Sequence, residues 1–265
     1  MSAPQFKPPA KTYGGATAWG WVVIVVCCVG MLAGLVVFAL RDTAVPASQI
    51  ENDALFAAGG DPSRIRPLAL YRGQKVTVFG DSWTSGYSAD PPTLGFAHLV
   101  GSRLGASVTA VLGAGGTGYV NPGKKGVGNY LARMRALPVD PDTRLLIIQG
   151  GLNDFKDNAN LAELVVQTIA VARQKFPKAQ IVMVGLAPPK MSNSARRIDT
   201  VLQSAAEASN VPYISPVQED WIAEDNVAAV IDPSTEHPST AGHAYIADQM
   251  VRALTALAPP APSES

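Results

Sequence analysis

Five short apolar runs, each set apart from the next by a segment long enough for a helix, restrict the folds open to this chain. The runs are KVTVFG (Lys75–Gly80), SVTAVL (Ser107–Leu112), RLLIIQ (Arg144–Gln149), QIVMVG (Gln180–Gly185) and VPYI (Val211–Ile214). Their length and aliphatic content read as buried strands. Helix-period segments fall around Gly95–Leu104, Tyr130–Leu137, Leu161–Phe176 and Ala195–Ser209, with a last one near Thr240–Leu257. Strand and helix in alternation predict an α/β domain over residues 75–257, with a mostly parallel five-stranded sheet covered on both faces as a three-layer sandwich.

A second constraint lies upstream. Residues Ala18–Leu40 carry no charge, which is long enough to cross a bilayer as one helix. Trp19 and Trp21 stand at its start, where amphipathic rings favour the interface, and Arg41 closes it. Lys7 and Lys11 precede it, so the bias in basic residues puts residues 1–17 in the cytoplasm and everything after Arg41 outside. The expectation is a single-pass protein of the cell membrane with an extracytoplasmic domain. A cleaved signal peptide would have a shorter apolar region and a better cleavage site than Ala47 after Val45-Pro46. Residues 41–74, broken by Pro46, Gly59-Gly60, Pro62 and Pro67, read as a stalk, and the proline-rich 258–265 as a disordered tail. Cys27 and Cys28 are the only cysteines, so the outer domain has no disulfide. Lys plus Arg and Asp plus Glu both number 21, which leaves no surplus charge for nucleic acid.

In parallel sheets, ligands bind outside the carboxyl ends of the strands. Those loops read GDSWTSG, GAGGTGY, GGLNDF and LAPPK, with DPSTEHPSTAGH beyond the fifth run. Three familiar patterns fail there. GAGGTG (Gly113–Gly118) has dinucleotide spacing, but Pro122, Gly123, Gly126 and Gly128 prevent the helix that should receive a pyrophosphate. GYVNPGKK has Lys125 where a phosphate loop needs Ser or Thr for magnesium. The nucleophile elbow G-x-S-x-G fails because Thr84 follows two places after Ser82.

What remains is a set: Ser82 past the first strand, Gly116 past the second, Asn153 past the third and His237 near the C-terminus. Together they supply a hydroxyl nucleophile, a backbone donor, an amide donor and a base, the parts that acyl transfer needs. No Cys/His cluster suggests a metal, and no cofactor is expected.

These residues resemble the blocks of the SGNH hydrolases, the GDSL esterase and lipase superfamily. Gly80-Asp81-Ser82 with Gly86 matches G-D-S-x-x-x-G, Gly151-Leu152-Asn153-Asp154 matches G-x-N-D, and His237-Pro238 matches the histidine of the last block. The resemblance implies a flavodoxin-like fold, Ser82 as nucleophile, His237 as base, and an oxyanion hole made by Ser82, Gly116 and Asn153. The substrate would be an acyl ester of an envelope lipid or an O-acylated glycan, by virtue of location. An O-acyltransferase shares this chemistry, and an inactive membrane-anchored binding protein could keep the fold.

One block departs from the family. The acid expected three residues before the base is replaced by Ser234, with Asp232 five before and Glu236 one before. Asp232 is expected to orient His237 as the third catalytic residue, the alternatives being Ser234 or a backbone carbonyl. His243 and His98 read as packing residues. Trp83 and Tyr87 shape either an acyl pocket or the turn itself.

Overall fold

The computed structural model of the chain describes residues 65–155 and 160–259. Each apolar run is a strand: β1 (Lys75–Gly80), β2 (Val108–Gly113), β3 (Thr143–Gln149), β4 (Gln180–Val184) and a short β5 (Tyr213–Ile214). All pair in parallel in the order β2-β1-β3-β4-β5. The chain steps outward from β1 to the edge at β2 and returns past β1 to β3. In sheets of this order ligands bind at such a reversal, which here falls at the carboxyl ends of β1 and β3.

Among the described residues six α-helices join the sheet: α1 (Phe96–Arg103), α2 (Tyr130–Ala136), α3 (Leu161–Lys175), α4 (Asn193–Ala208), the single turn α5 (Val227–Val230) and α6 (Thr240–Ala256). Strand periodicity decides which helix covers which face. In β3, Leu145 and Ile147 join Val76, Val78, Phe96, Val100 and Ile246 in one core, under α1 and α6. Leu146 and Ile148 join Phe79, Met134, Val165, Ile169 and Leu202 in the other, under α2, α3 and α4. Burying each such side chain contributes roughly 1.5–3 kcal/mol, so the sheet is a stiff base for the loops at its end. The three-layer α/β sandwich with a five-stranded, mostly parallel sheet is therefore as expected.

Two features bear on the site. Between α5 and α6 the chain forms a small antiparallel pair, β6 (Ile231–Asp232) and β7 (His237–Pro238), with Asp232 opposite His237. Ser239 caps α6 by accepting from the Gly242 N–H, and its own N–H donates to Val230 O at 2.9 Å. The hairpin is thus anchored on both sides before the helix starts.

The folded region also begins earlier than Lys75. Leu68 is 1% exposed in the core, its N–H donates to Leu257 O at 2.8 Å, and the Ala69 N–H donates to Gln180 Oε1. The last part of the expected stalk is therefore packed onto the domain, because Leu68 supplies apolar surface that the α6 side of the sheet would otherwise leave open. Among the described residues no helix is long and apolar enough to cross a membrane, and Ala18–Leu40 lies outside them.

Candidate active site

Ser82 follows β1 on a tight turn. Inside it, Asp81 is fully buried, and its Oδ1 accepts the Trp83 N–H at 2.9 Å. Burial pushes the Asp81 carboxyl up to about 7, against the lowering effect of that hydrogen bond. The turn delivers the Ser82 hydroxyl to His237, with Oγ 2.8 Å from Nε2.

The other imidazole nitrogen settles the proton arrangement. His237 Nδ1 lies 2.6 Å from the carbonyl oxygen of Thr235. A carbonyl only accepts, so in the neutral imidazole Nδ1 carries the hydrogen and Nε2 presents a lone pair, to which the Ser82 hydroxyl donates. Asp232 is not the partner. Its Oδ1 accepts from the Ser234 N–H at 2.9 Å and the Ser234 hydroxyl at 2.7 Å, and these bonds lower its pKa. Its carbonyl oxygen accepts the N–H groups of Thr235 and Glu236, while Glu236 takes a left-handed φ of 58°. Asp232 therefore shapes the turn whose carbonyl faces the imidazole, and the expected acid contact is replaced by main chain. Among the described residues neither Ser234 nor Glu236 hydrogen-bonds to the ring.

A second link ties the His237 hairpin to the Ser82 turn. Ser88 Oγ donates to Thr235 Oγ1 at 2.8 Å, which joins the Ser82 turn to the hairpin. Buried His243 accepts the Phe96 N–H at Nδ1 and donates from Nε2 to Tyr87 O, holding the end of the same turn. Burial lowers its pKa, consistent with a neutral packing residue. Trp83 is 4% exposed and belongs to the core. Tyr87 is 54% exposed, with its ring centroid 4.6 Å from that of His237. The two aromatics that sequence left undivided thus have different jobs.

The loops after β2 and β3 carry further donors. Asn153 sits on a one-turn 3-10 helix after β3 (Leu152–Asp154), and its Nδ2 donates to Thr117 O at 2.9 Å, which leaves its second amide hydrogen available. Gly116 has φ 72°, a left-handed conformation that few L residues adopt, within the loop after β2. Among the described residues neither the Ser82 nor the Gly116 N–H donates to a protein acceptor. Asp154, buried beside Asn153, accepts the N–H groups of Tyr119, Val120 and Asn121 at 3.0, 2.9 and 3.1 Å. A Cβ on Gly118 would overlap the Asp154 carboxylate. Asp154 therefore locks the β2 and β3 loops together, a role the motif G-x-N-D did not disclose.

A family model for GDSL-like lipases and acylhydrolases matches residues 78–245, from within β1 to within α6. The chain belongs to that family. The GDSL lipase Rv0518 of Mycobacterium tuberculosis is 32% identical over 210 residues, covering 72% of this chain and 86% of that protein. Solved structures share the fold at lower identity. A family 2 carbohydrate esterase with a carbohydrate-binding domain, from Corynascus, superposes with a TM-score of 0.55 at 17% identity over 72% of this chain and 68% of its own. A putative lipolytic protein of the G-D-S-L family from Desulfitobacterium hafniense gives 0.51 at 18% identity over 68% of this chain and 98% of its own. As a member of the GDSL family the protein is an ester hydrolase. The SGNH resemblance of the sequence blocks is thereby confirmed at the level of family and reaction class.

Proposed function

We propose that this GDSL hydrolase is a serine esterase that works through an acyl-enzyme on Ser82, oriented by a Ser82–His237 dyad and the Thr235 carbonyl. The 2.8 Å contact between Ser82 Oγ and the unprotonated face of His237 carries the reading. His237 Nε2 takes the hydroxyl proton as Oγ attacks the ester carbonyl carbon. The tetrahedral oxyanion is met by the Ser82 and Gly116 N–H groups and the Asn153 amide. Its collapse expels the alcohol, which receives the proton from Nε2. Water then enters, again deprotonated by His237, and the acid leaves with Ser82 restored. The imidazolium formed on the way is stabilised by a carbonyl dipole and not by a carboxylate.

The substrate class proposed is an acyl ester of an envelope lipid or an O-acylated surface glycan. Its support is location: the uncharged Ala18–Leu40 run would tether the domain to the outer face of the cell membrane. Hydrolysis of short p-nitrophenyl esters by the full chain, repeated with an added alcohol acceptor, tests the reaction type. Free acid as the main product supports an esterase; acyl product on the acceptor in preference to water would make the protein a transferase. No turnover and no acyl-enzyme in folded protein would leave a binding protein on a hydrolase fold.

A further inference from the structure

Arg133 lies in the last turn of α2, and none of the sequence blocks includes it. Its side chain crosses the carboxyl ends of two strands. Nη1 donates to Gly80 O at 2.8 Å and to Thr117 Oγ1 at 2.7 Å, and Nη2 donates to Leu112 O at 2.6 Å. The guanidinium carbon stands 4.3 Å from the centroid of the Phe79 ring, a cation–π arrangement that holds the plane of the fork. All three acceptors are uncharged oxygens, so this half-buried cation makes no ion pair through these bonds.

Each acceptor leads to one donor of the oxyanion hole. Gly80 lies two residues before Ser82. Leu112 is the penultimate residue of β2 and opens the loop that carries Gly116. Thr117 offers its hydroxyl to Arg133, and its carbonyl accepts Asn153 Nδ2. The Thr117 hydroxyl in turn donates to Ala114 O, closing the loop on itself. Carbonyls at the ends of strands usually turn to water or to a neighbouring strand for donors. Here a planar fork fixes two such carbonyls, Gly80 O and Leu112 O, together with the Thr117 hydroxyl in one geometry, which a single ammonium on a flexible stem does less well.

We propose that Arg133 is a positioning residue for the oxyanion hole: its guanidinium holds the ends of β1 and β2 and Thr117 in the register that brings the Ser82 N–H, the Gly116 N–H and the Asn153 amide to one point. It rests on the esterase reading and assigns Arg133 no contact with substrate. Because the oxyanion exists only beyond the ground state, misplacing its donors lowers kcat and leaves KM nearly unchanged.

The test measures kcat and KM of the full chain on a p-nitrophenyl ester, melting temperature, and phosphonylation by a fluorophosphonate. Arg133→Gln is expected to lose roughly 10- to 100-fold in kcat with KM within about twofold, since displaced donors cost no more than the loss of one whole donor. Arg133→Lys keeps the charge without the fork and is expected to be nearly as impaired. In Arg133→Ala, guanidinium at a sub-denaturing concentration is expected to restore part of kcat, while urea at the same concentration restores none. Should the arginine variants unfold, Thr117→Val keeps Arg133 and removes one acceptor; it is expected to lower kcat at constant KM, and Thr117→Ser to recover it. Wild-type kcat in folded Arg133→Gln, a loss confined to KM, or equal rescue by urea would overturn this inference alone. A wild-type chain inert to both ester and probe would overturn the esterase reading and this one with it.

Discussion

The Nδ1 of His237 donates to the carbonyl of Thr235, two residues earlier in the same hairpin, at 2.6 Å. In the triad logic of serine hydrolases a carboxylate fills that place, fixing the tautomer and stabilising the imidazolium. A carbonyl does the first job fully and the second only in part. Asp232→Asn is accordingly expected to retain wild-type kcat/KM within about threefold, because an asparagine can still accept the Ser234 N–H and cap the turn. Asp232→Ala removes the cap and is expected to lose more, through a loosened hairpin. Steady-state kinetics on a short p-nitrophenyl ester, with circular dichroism as the control, separate the two. A folded Asp232→Asn variant down by several orders of magnitude would restore the acid to the mechanism.

Asn153 donates one amide hydrogen to Thr117 O, and the proposed oxyanion contact uses the other. Asn153→Ala is expected to lower kcat by roughly 100-fold or more, with a smaller change in KM, as other enzymes do on losing one such donor. A change confined to KM would place Asn153 in ground-state binding.

The buried Asp81 makes stability depend on pH. Its folded pKa of about 7 lies above the 3.8 of an exposed carboxyl, so the folded state holds the proton more tightly than the unfolded chain. At pH below 3.8 both states are protonated and the group is neutral in its effect. Between there and about 7 the unfolded chain ionises first, and stability falls by about 1.4 kcal/mol per pH unit until the folded carboxyl ionises too. Asp81→Asn keeps the acceptor for Trp83 and removes this penalty. Melting temperatures measured between pH 4 and about 8 are therefore expected to favour the variant increasingly as pH rises. A difference that stays constant over that range would show that Asp81 ionises normally.

Tyr87 packs edge-on against His237, with ring centroids 4.6 Å apart, and in the proposed mechanism that imidazole returns the proton to the departing alcohol. Tyr87→Ala is expected to lower kcat/KM up to about tenfold for esters of bulky or cyclic alcohols, the size of one lost aromatic contact. Methyl esters of the same acid should change little. Equal losses on both series would mean that Tyr87 acts only by packing against the base.

The parallel sheet, its five strands and the strand-end placement of Ser82, Gly116 and Asn153 were legible because periodicity and motif spacing are properties of residue type, whereas the small β6–β7 pair that carries His237 was not read from the sequence. The orienting group was not, since Thr235 acts through its carbonyl, which every residue has. Residue counting favoured Asp232, yet the left-handed Glu236 and the capped turn bring main chain to the imidazole before the carboxylate can reach it. Arg133 was equally hidden. One of two arginines in a helical pattern looks like a solvated face until the strand ends beneath it are placed. The buried Leu68 escaped notice because prolines and glycines around it read as a linker.

The central claim is that Ser82 is the nucleophile activated by His237. Intact-mass measurement of the full chain after treatment with a fluorophosphonate tests it most directly. One adduct per chain, mapped to Ser82, absent from folded Ser82→Ala and formed far more slowly in His237→Ala, is the expected result. Folded wild-type protein that takes no adduct, or a Ser82→Ala variant labelled at the wild-type rate, would contradict it.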